Sequence, residues 1–452
     1  MVKRVYEQGF LDILVDPVCG IVRELGEVPL PEEVPDSFHC VVASVSDPRQ
    51  FSVWLADKIA GASGFGEVSE LWAPAVGEAA ERYCGNNIPT DLLRASPEEL
   101  AAAGRSFLDP LEFPAFDESL FTERFPYQRY DPAAPILWAR ATDGEGEEIL
   151  VPGSRVYLNW NQGSRRHEPR THHIAYAGIA AGPSKDFAEL AAFRECVERD
   201  VTTAWWSLGL PAQAIDPATV PGMDALRAQA PDFDIDILFL PNPEGMPVFA
   251  ALVYHRGLRI PGAGFSCHGD PASGVWKALS EAFQVWISMH GVLEADGTGY
   301  RSVAEGLLSA KAYFPHQPDR RYLELAGERW ENVRDLACQA QLWLDERLHP
   351  HLDRFRPAGE RIALSEVPAV DMAQAWRSYR GTPSNRVATV DVTTKDIRLA
   401  GLHVARVLCP RLLPNFPSAF PVARSPRWKE HWHFHHPGNE DMRISALPLP
   451  HM

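Results

Sequence analysis

Apolar positions recur every three to four residues along three long stretches, and each stripe is interrupted by acids. This periodicity predicts a helix over residues 69–84, with Pro74 tolerable in its first turn and Gly85 as its stop. It predicts a second helix from Ser184 to Leu208 and a third from Ala272 to Gly291. SPEELAAAG (Ser96 to Gly104) predicts a short helix, with Ser96 as N-cap, Pro97 at the first position and Glu99 at the third. A further helical stretch is expected near 320–348.

Short alternating or continuous apolar runs predict strands in ILWARAT, ILVPGSRVYLN, DIDILFLPN and PVFAALVYH, while GAGFSCHGDP predicts a turn. NRVATVDVTTKDIRLAGLHVARVLCPRL predicts two strands joined by a short polar segment. Residues 1 to about 50 predict strands and loops of an N-terminal flap, and the segment from Leu413 is rich in Pro and His. Long helices beside separate strand pairs predict an α+β fold. The expected organisation is a flap over 1–54, a main domain over 55–425 and a tail over 426–452.

Composition changes this picture modestly. Of 452 residues, 45% are hydrophobic and 23% charged, enough apolar material for large cores. The formal net charge of −17 disfavours nucleic acid or an anionic membrane as the main partner. The seven Cys form no C-x-x-C pair and are odd in number, which predicts reduced thiols and a cytoplasmic protein. The N-terminus has no long apolar core, and no run is long enough to span a membrane.

The acids carry the chemistry. In AVGEAAERYCG, Glu78 and Glu81 share a helix face, with Arg82 beside them. AAFRECVERD repeats the spacing with Glu195, Glu198 and Arg199, and the third helix offers Lys277, Glu281 and Gln284. A solvated E-x-x-E-R face is the commoner origin of one such motif. Here it occurs twice among Val76, Ala79, Phe193, Val197, Trp205 and Trp206, which predicts burial. Buried carboxylates need cations, and Arg82 and Arg199 are too few for both pairs. Mg²⁺ fits the deficit, because it takes oxygen ligands and keeps phosphates and waters as co-ligands. The arginines and Lys277 then suit phosphate oxygens. No P-loop is present; GDPASGVWK lacks the GK[ST] ending.

Other clusters weigh less. His431, His433, His435 and His436 read as a polar tail, with a transition-metal cluster on a strand as the alternative. HEPRTHH does not have the spacing of a zinc helix, and Pro169 breaks it. Cys84, Cys196, Trp205 and Trp206 read as core residues.

GEAAERYCG, YAGIAAGPSKDFAELAAFRECVERD, GFSCHGDPASGVWKALSEAFQ and VATVDVTTKDIRLAGLHVARVLCPRL together resemble successive signature segments of the YcaO family, over about residues 55–425. The likeness is nearest to actinobacterial azole-forming cyclodehydratases of the thiopeptide and goadsporin type. It implies a YcaO-type fold with a central ATP/Mg²⁺ cleft. It also implies ATP-dependent phosphorylation of backbone amides in a ribosomal precursor peptide, so that Cys, Ser or Thr side chains cyclise to thiazoline or oxazoline. The resemblance further implies Glu78, Glu81, Glu195 and Glu198 as metal ligands. It places Arg82, Arg199, Lys277, Glu281 and Gln284 around the nucleotide, with Glu78, Glu198 and Arg199 as catalytic groups. Azoline-forming members often end in a Pro-x-Pro tail near the site, which implies a catalytic place for Met452, at the end of the shortened match Pro448-Leu449-Pro450-His451-Met452.

Implied partners are the precursor peptide, an E1-like (ThiF-like) leader-binding protein, a flavin-dependent azoline dehydrogenase and a second copy in a homodimer. Thioamide formation with an external sulfur nucleophile, or a non-catalytic peptide-binding scaffold, are the alternatives within the family. The chain departs from the family pattern at Tyr176, Ala177 and Pro183, where Ser and two Asn are usual. It departs again at Phe187, with Asp186 beside it, where an acid is usual, and at Pro74, where a small residue opens the helix.

Overall fold

The computed structural model describes residues 9–47, 49 and 58–452. Three antiparallel sheets form its frame. The first joins β1 (Val22–Glu27), β2 (Phe38–Val45) and β3 (Ile59–Phe65). The second has the order β4-β5-β12-β13-β7, with β6 on β5; these strands are β4 (Leu93–Ala95), β5 (Ile136–Asp143), β6 (Glu148–Pro152), β7 (Ile179–Gly182), β12 (Ala388–Asp391) and β13 (His403–Leu408). The third runs β11-β10-β9-β8, from β8 (Gln213–Ala214), β9 (Phe233–Phe239), β10 (Val248–His255) and β11 (Ile260–Cys267).

Helices lie where the periodicity demands. The first long helix, α1, spans Trp72–Asn86; α2 spans Lys185–Leu208, with the Ser184 side chain accepting from Phe187 N and Gly209 closing it in the left-handed region; α3 spans Pro271–His290 behind an Asp270 cap. The short helix Pro97–Ala102 carries the expected Ser96–Glu99 capping box. α1 runs through Gly85 to Asn86 rather than stopping there; Gly85 serves packing instead, since a side chain at that position would press on Leu158 and Ile179.

Most of the expected turn in GAGFSCHGDP, residues 262–267, is instead part of the fully buried strand β11, and only residues 268–270 bend before α3. The strand's glycines are a packing device. A Cβ on Gly264 would lie 2.2 Å from Ala278 O, and one on Gly262 would lie 2.3 Å from Ala282 O, so α3 seats directly on the strand backbone. The 320–348 stretch holds only short helices, Leu323–Ala326 and Leu336–Gln341, followed by 3₁₀ turns. ILVPGSRVYLN is strand only to Pro152 and then makes one helical turn, Gly153–Val156.

α1 packs on β2, β3 and β7, whereas α2 packs on β7, β13 and β11. The β7 strand therefore lies between the two E-x-x-E-R helices, and α3 covers β10 and β11 from the other side. One apolar core surrounds α2, α3 and the third sheet; a second surrounds α1 and the second sheet. Trp205 and Trp206 are core residues, as expected.

The Pro/His-rich segment is folded rather than a loose tail. Its helix α4 (Arg427–His435) packs on α2. His431 is buried with its Nε2 2.8 Å from Asp200 Oδ2, His435 faces the Pro241 carbonyl, and His433 stands near Glu440. These partners point the histidines in different directions, so neither the polar-tail reading nor the strand-borne metal cluster describes them.

Candidate active site

The two E-x-x-E-R faces meet across β7, and α3 brings Glu281. Each of the five carboxylates has one oxygen on a main-chain N–H. Gly61 N donates to Glu78 at 2.9 Å, Ala181 N to Glu81 at 2.8 Å and Gly178 N to Glu195 at 2.9 Å. Cys267 N donates to Glu198 at 3.1 Å and Phe265 N to Glu281 at 3.3 Å. These donors come from β3, β7 and its entry, and β11. Gly178 has φ +90°, and a Cβ there would meet Val407 O at 2.6 Å, so only glycine aims this N–H at Glu195. The Tyr176–Pro183 departure thus retains the glycine that the site geometry uses.

The second oxygens of Glu78, Glu195, Glu198 and Glu281 meet cations. Arg82 Nη2 donates to Glu78 Oε1 at 2.9 Å, and the Arg82 guanidinium lies over the Tyr176 ring. Arg199 is 3.5 Å from Glu198 Oε1 and 3.9 Å from Glu195 Oε1, ion pairs too long for good hydrogen bonds; its Nε and Nη1 are buried without acceptors. Lys277 reaches Glu281 at 4.0 Å. Gln284 accepts from Ser63 Oγ at 3.0 Å, which ties α3 to β3.

Acid remains in excess. Burial pushes the Glu81 carboxyl up to about 8, and Glu78 and Glu195 add to this against Ala181 N–H and Arg82. Burial likewise pushes Glu281 up to about 7, with Glu198 adding, and raises Glu195, where Arg199 opposes. The cations respond oppositely: Arg199 and Lys277 are held above their usual values, because Glu198, Glu195 and Glu281 outweigh the cost of burial. Cys84 and Cys267 are pushed up to about 12 by burial, so neither is a ready thiolate.

Among the described residues, no three His, Cys, Asp or Glu side chains converge closely enough to hold a metal unaided. The donor set still fits Mg²⁺: anchored carboxylates with excess negative charge, beside arginine N–H groups that lack acceptors, suit an ion completed by water and phosphate. The signature segments match the YcaO family model, described as a cyclodehydratase binding ATP and Mg²⁺, over residues 72–413.

The chain belongs to the YcaO family. Solved structures agree on the YcaO fold. A heterocyclase in complex with substrate and cofactor superposes with TM-score 0.65 at 22% identity, covering 91% of this chain but 52% of its own. YcaO from Methanopyrus kandleri bound with AMPPCP and Mg²⁺ gives 0.54 at 16% identity, over 88% and 91% of the two chains. The Escherichia coli microcin synthetase McbBCD complex gives 0.53 at 14%, over 86% and 88%. The chain thus spans about half the length of the first of these. No curated protein matches the sequence. Among the described residues, no helix is long and apolar enough to cross a membrane.

The C-terminal segment of this YcaO chain is docked. Trp206 Nε1 donates to Leu447 O at 2.9 Å, and Ser445 N donates to Ser207 O. His451 is buried against Phe265, its Nδ1 3.0 Å from Ala263 O, and close enough to Arg199 for that charge to help hold it neutral. Met452 is half-buried beside a cavity that Trp206, Leu449 and His451 also line.

Sequence reasoning missed the main-chain donors, which no side-chain motif announces. It also missed Asp200. This residue directly follows Arg199 and is fully buried, where it accepts from Arg427 and Leu413 N and pairs with His431.

Proposed function

We propose that this protein is an ATP- and Mg²⁺-dependent cyclodehydratase acting on backbone amides of a ribosomal precursor peptide, with Cys, Ser or Thr side chains closing to azolines. The observation that carries the reading is the five-carboxylate site, anchored by main-chain N–H groups yet short of positive charge. Its catalytic unit is proposed to span 55–425. Glu78, Glu81, Glu195 and Glu198 would hold Mg²⁺, and Arg82, Arg199 and Lys277 would take phosphate oxygens. Glu281 and Gln284 would line the nucleotide pocket. MgATP, when bound, supplies the phosphoryl group that activates the amide oxygen.

The chain's own residues do mostly electrostatic work. Main-chain N–H groups fix one oxygen of each glutamate. Arg199, with two N–H groups free of acceptors, is the donor positioned to meet charge developing on a transferred phosphoryl. Glu78 and Glu198 orient their arginines. His451 brings the end of the Pro-x-Pro segment toward Arg199, which supports a place for Met452 at the mouth of the site. The actinobacterial thiopeptide/goadsporin subgroup, a leader-binding E1-like partner, a flavin dehydrogenase, a homodimer and a cytoplasmic location belong to the same proposal.

The test is ATP turnover with candidate peptides, followed by mass spectrometry. Loss of one water per modified Cys, Ser or Thr is expected. An oxygen-for-sulfur exchange, or peptide binding without turnover, overturns the cyclodehydratase reading.

A further inference from the structure

Beside the carboxylate site lies a second, oppositely charged cavity of about 70 Å³. Arg155, Arg199 and Arg406 all line it, with His172, Cys196 and Phe113, and no aspartate or glutamate does. The three arginines differ in what they have left to donate. Arg406 is buried, and its guanidinium donates to the carbonyls of Arg155, Ala175, Tyr176 and Ala177, so it contributes charge but few free N–H groups. Arg155 Nε is buried and has no acceptor, and its guanidinium lies over the Phe113 ring at 4.6 Å. Arg199 also has Nε and Nη1 buried without acceptors. His172 Nε2 faces Ser154 O at 3.1 Å and its Nδ1 faces Thr171 Oγ1 at 3.2 Å, so both ring nitrogens are engaged with protein oxygens.

Of the three arginines, Arg155 is the least compensated, since carboxylates act on Arg199 and on Arg406. Burial pushes Arg155 down to about 9, and the like charge of Arg406 adds to the effect. An arginine nevertheless keeps its proton at neutral pH, and a buried cation without a counterion is costly. Glu195 and Glu198 serve Arg199 from the other side, whereas among the described residues no carboxylate pairs with Arg155. The volume is also informative. A site for one water needs about 10–15 Å³, so this cavity holds roughly five to seven heavy atoms, room enough for an inorganic phosphate.

We propose that the cavity walled by Arg155, Arg199 and Arg406 is a subsite for a tetrahedral oxyanion of the inorganic phosphate class, distinct from the nucleotide site but sharing Arg199 with it. The cavity and its charges carry the subsite. Its place in the reaction, as the way-station for phosphate leaving the activated amide, rests on the function proposed above.

The test titrates inorganic phosphate into the whole protein saturated with Mg²⁺ and a non-hydrolysable ATP analogue, by calorimetry. Phosphate is expected to bind without displacing the analogue, and Arg155→Gln to weaken it at least tenfold while leaving analogue binding unchanged. Arg155→Lys, which keeps the charge, is expected to stay within about threefold of wild type. Crystals of the wild-type protein soaked in phosphate give a readout independent of variant folding, with tetrahedral density expected at Arg155 Nε. Phosphate that binds only by displacing the analogue, equal binding by Arg155→Gln, or an empty cavity in the soaked crystals would each overturn the proposal. Acetate serves as the carboxylate control, and affinity equal to that of phosphate rejects the phosphate assignment. If the analogue itself fails to bind, the reading of the carboxylate site falls instead. Phosphate binding to the unliganded protein, with the same dependence on Arg155, then still decides the subsite.

Discussion

Two charged clusters sit next to each other on α2 and have opposite characters. Glu195, Glu198 and Arg199 face β7, β11 and α3 with charge left over: burial holds Glu195, like Glu281 on α3, above its usual value, and guanidinium N–H groups of Arg199 lack acceptors. Asp200, the next residue, is saturated. It takes Arg427 through Nε and Nη2, His431 at 2.8 Å and Leu413 N at 2.9 Å, and Arg427 also meets Glu244 and Glu430. Burial opposes the Asp200 charge, but Arg427 and His431 outweigh it and hold the carboxyl well below the usual range. Both clusters are costly to bury. The closed one pins α4 to α2 as architecture, whereas the open one is poised for charged ligands.

The largest expected effect separates the two. Glu198→Gln keeps an acceptor for Cys267 N–H but loses the charge, so ATP-dependent turnover should fall roughly 10³-fold or more while stability changes by less than about 1 kcal/mol. Steady-state kinetics beside urea unfolding checks both halves. Asp200→Ala should do the reverse and destabilise by about 3–5 kcal/mol, because it removes the fully buried partner of both Arg427 and His431. An equally stable Asp200→Ala would erase the distinction.

How much of this was legible in advance follows the same division. The helices announced themselves through apolar stripes and caps, as at Ser96 and Ser184, and the paired E-x-x-E-R faces were visible because their spacing is local. The Asp200–Arg427 pair is 227 residues apart in the chain, and no local pattern couples them. β11 was misread because Gly262 and Gly264 carry the composition of a turn, yet they serve the approach of α3, which exists only once the sheet has formed. The main-chain anchors at Gly61, Gly178, Ala181, Phe265 and Cys267 have no side-chain signature. The Arg155 cavity likewise assembles from distant segments.

Two smaller effects sharpen the comparison at its edges. His451 is held down to about 3, chiefly by burial and then by Arg199, whereas it titrates near 6.5 when undocked. A depressed folded value means that docking is fully supported above about pH 6.5 and weakens as pH falls toward 3. At pH 5 the loss is about 2 kcal/mol, roughly thirtyfold more opening of the C-terminal segment, readable by hydrogen exchange at residues 445–452. Opening that does not change between pH 7.5 and 5 would remove His451 from the account. At the rim of the saturated cluster, Glu430 is about a third exposed and pairs with Arg411 and Arg427. Glu430→Gln should therefore cost no more than about 1 kcal/mol in urea unfolding; a cost near that of Asp200→Ala would mean that the network has no rim.

The most direct test is a crystal structure of the protein with a non-hydrolysable ATP analogue and Mn²⁺ in place of Mg²⁺, using anomalous scattering to locate the metal. The account predicts metal peaks within roughly 2.1 Å of free carboxylate oxygens of Glu78, Glu81, Glu195 or Glu198, completed by water and phosphate oxygens. Nucleotide bound with its metal elsewhere, or those four carboxylates all closed onto protein cations with no metal beside them, would contradict it.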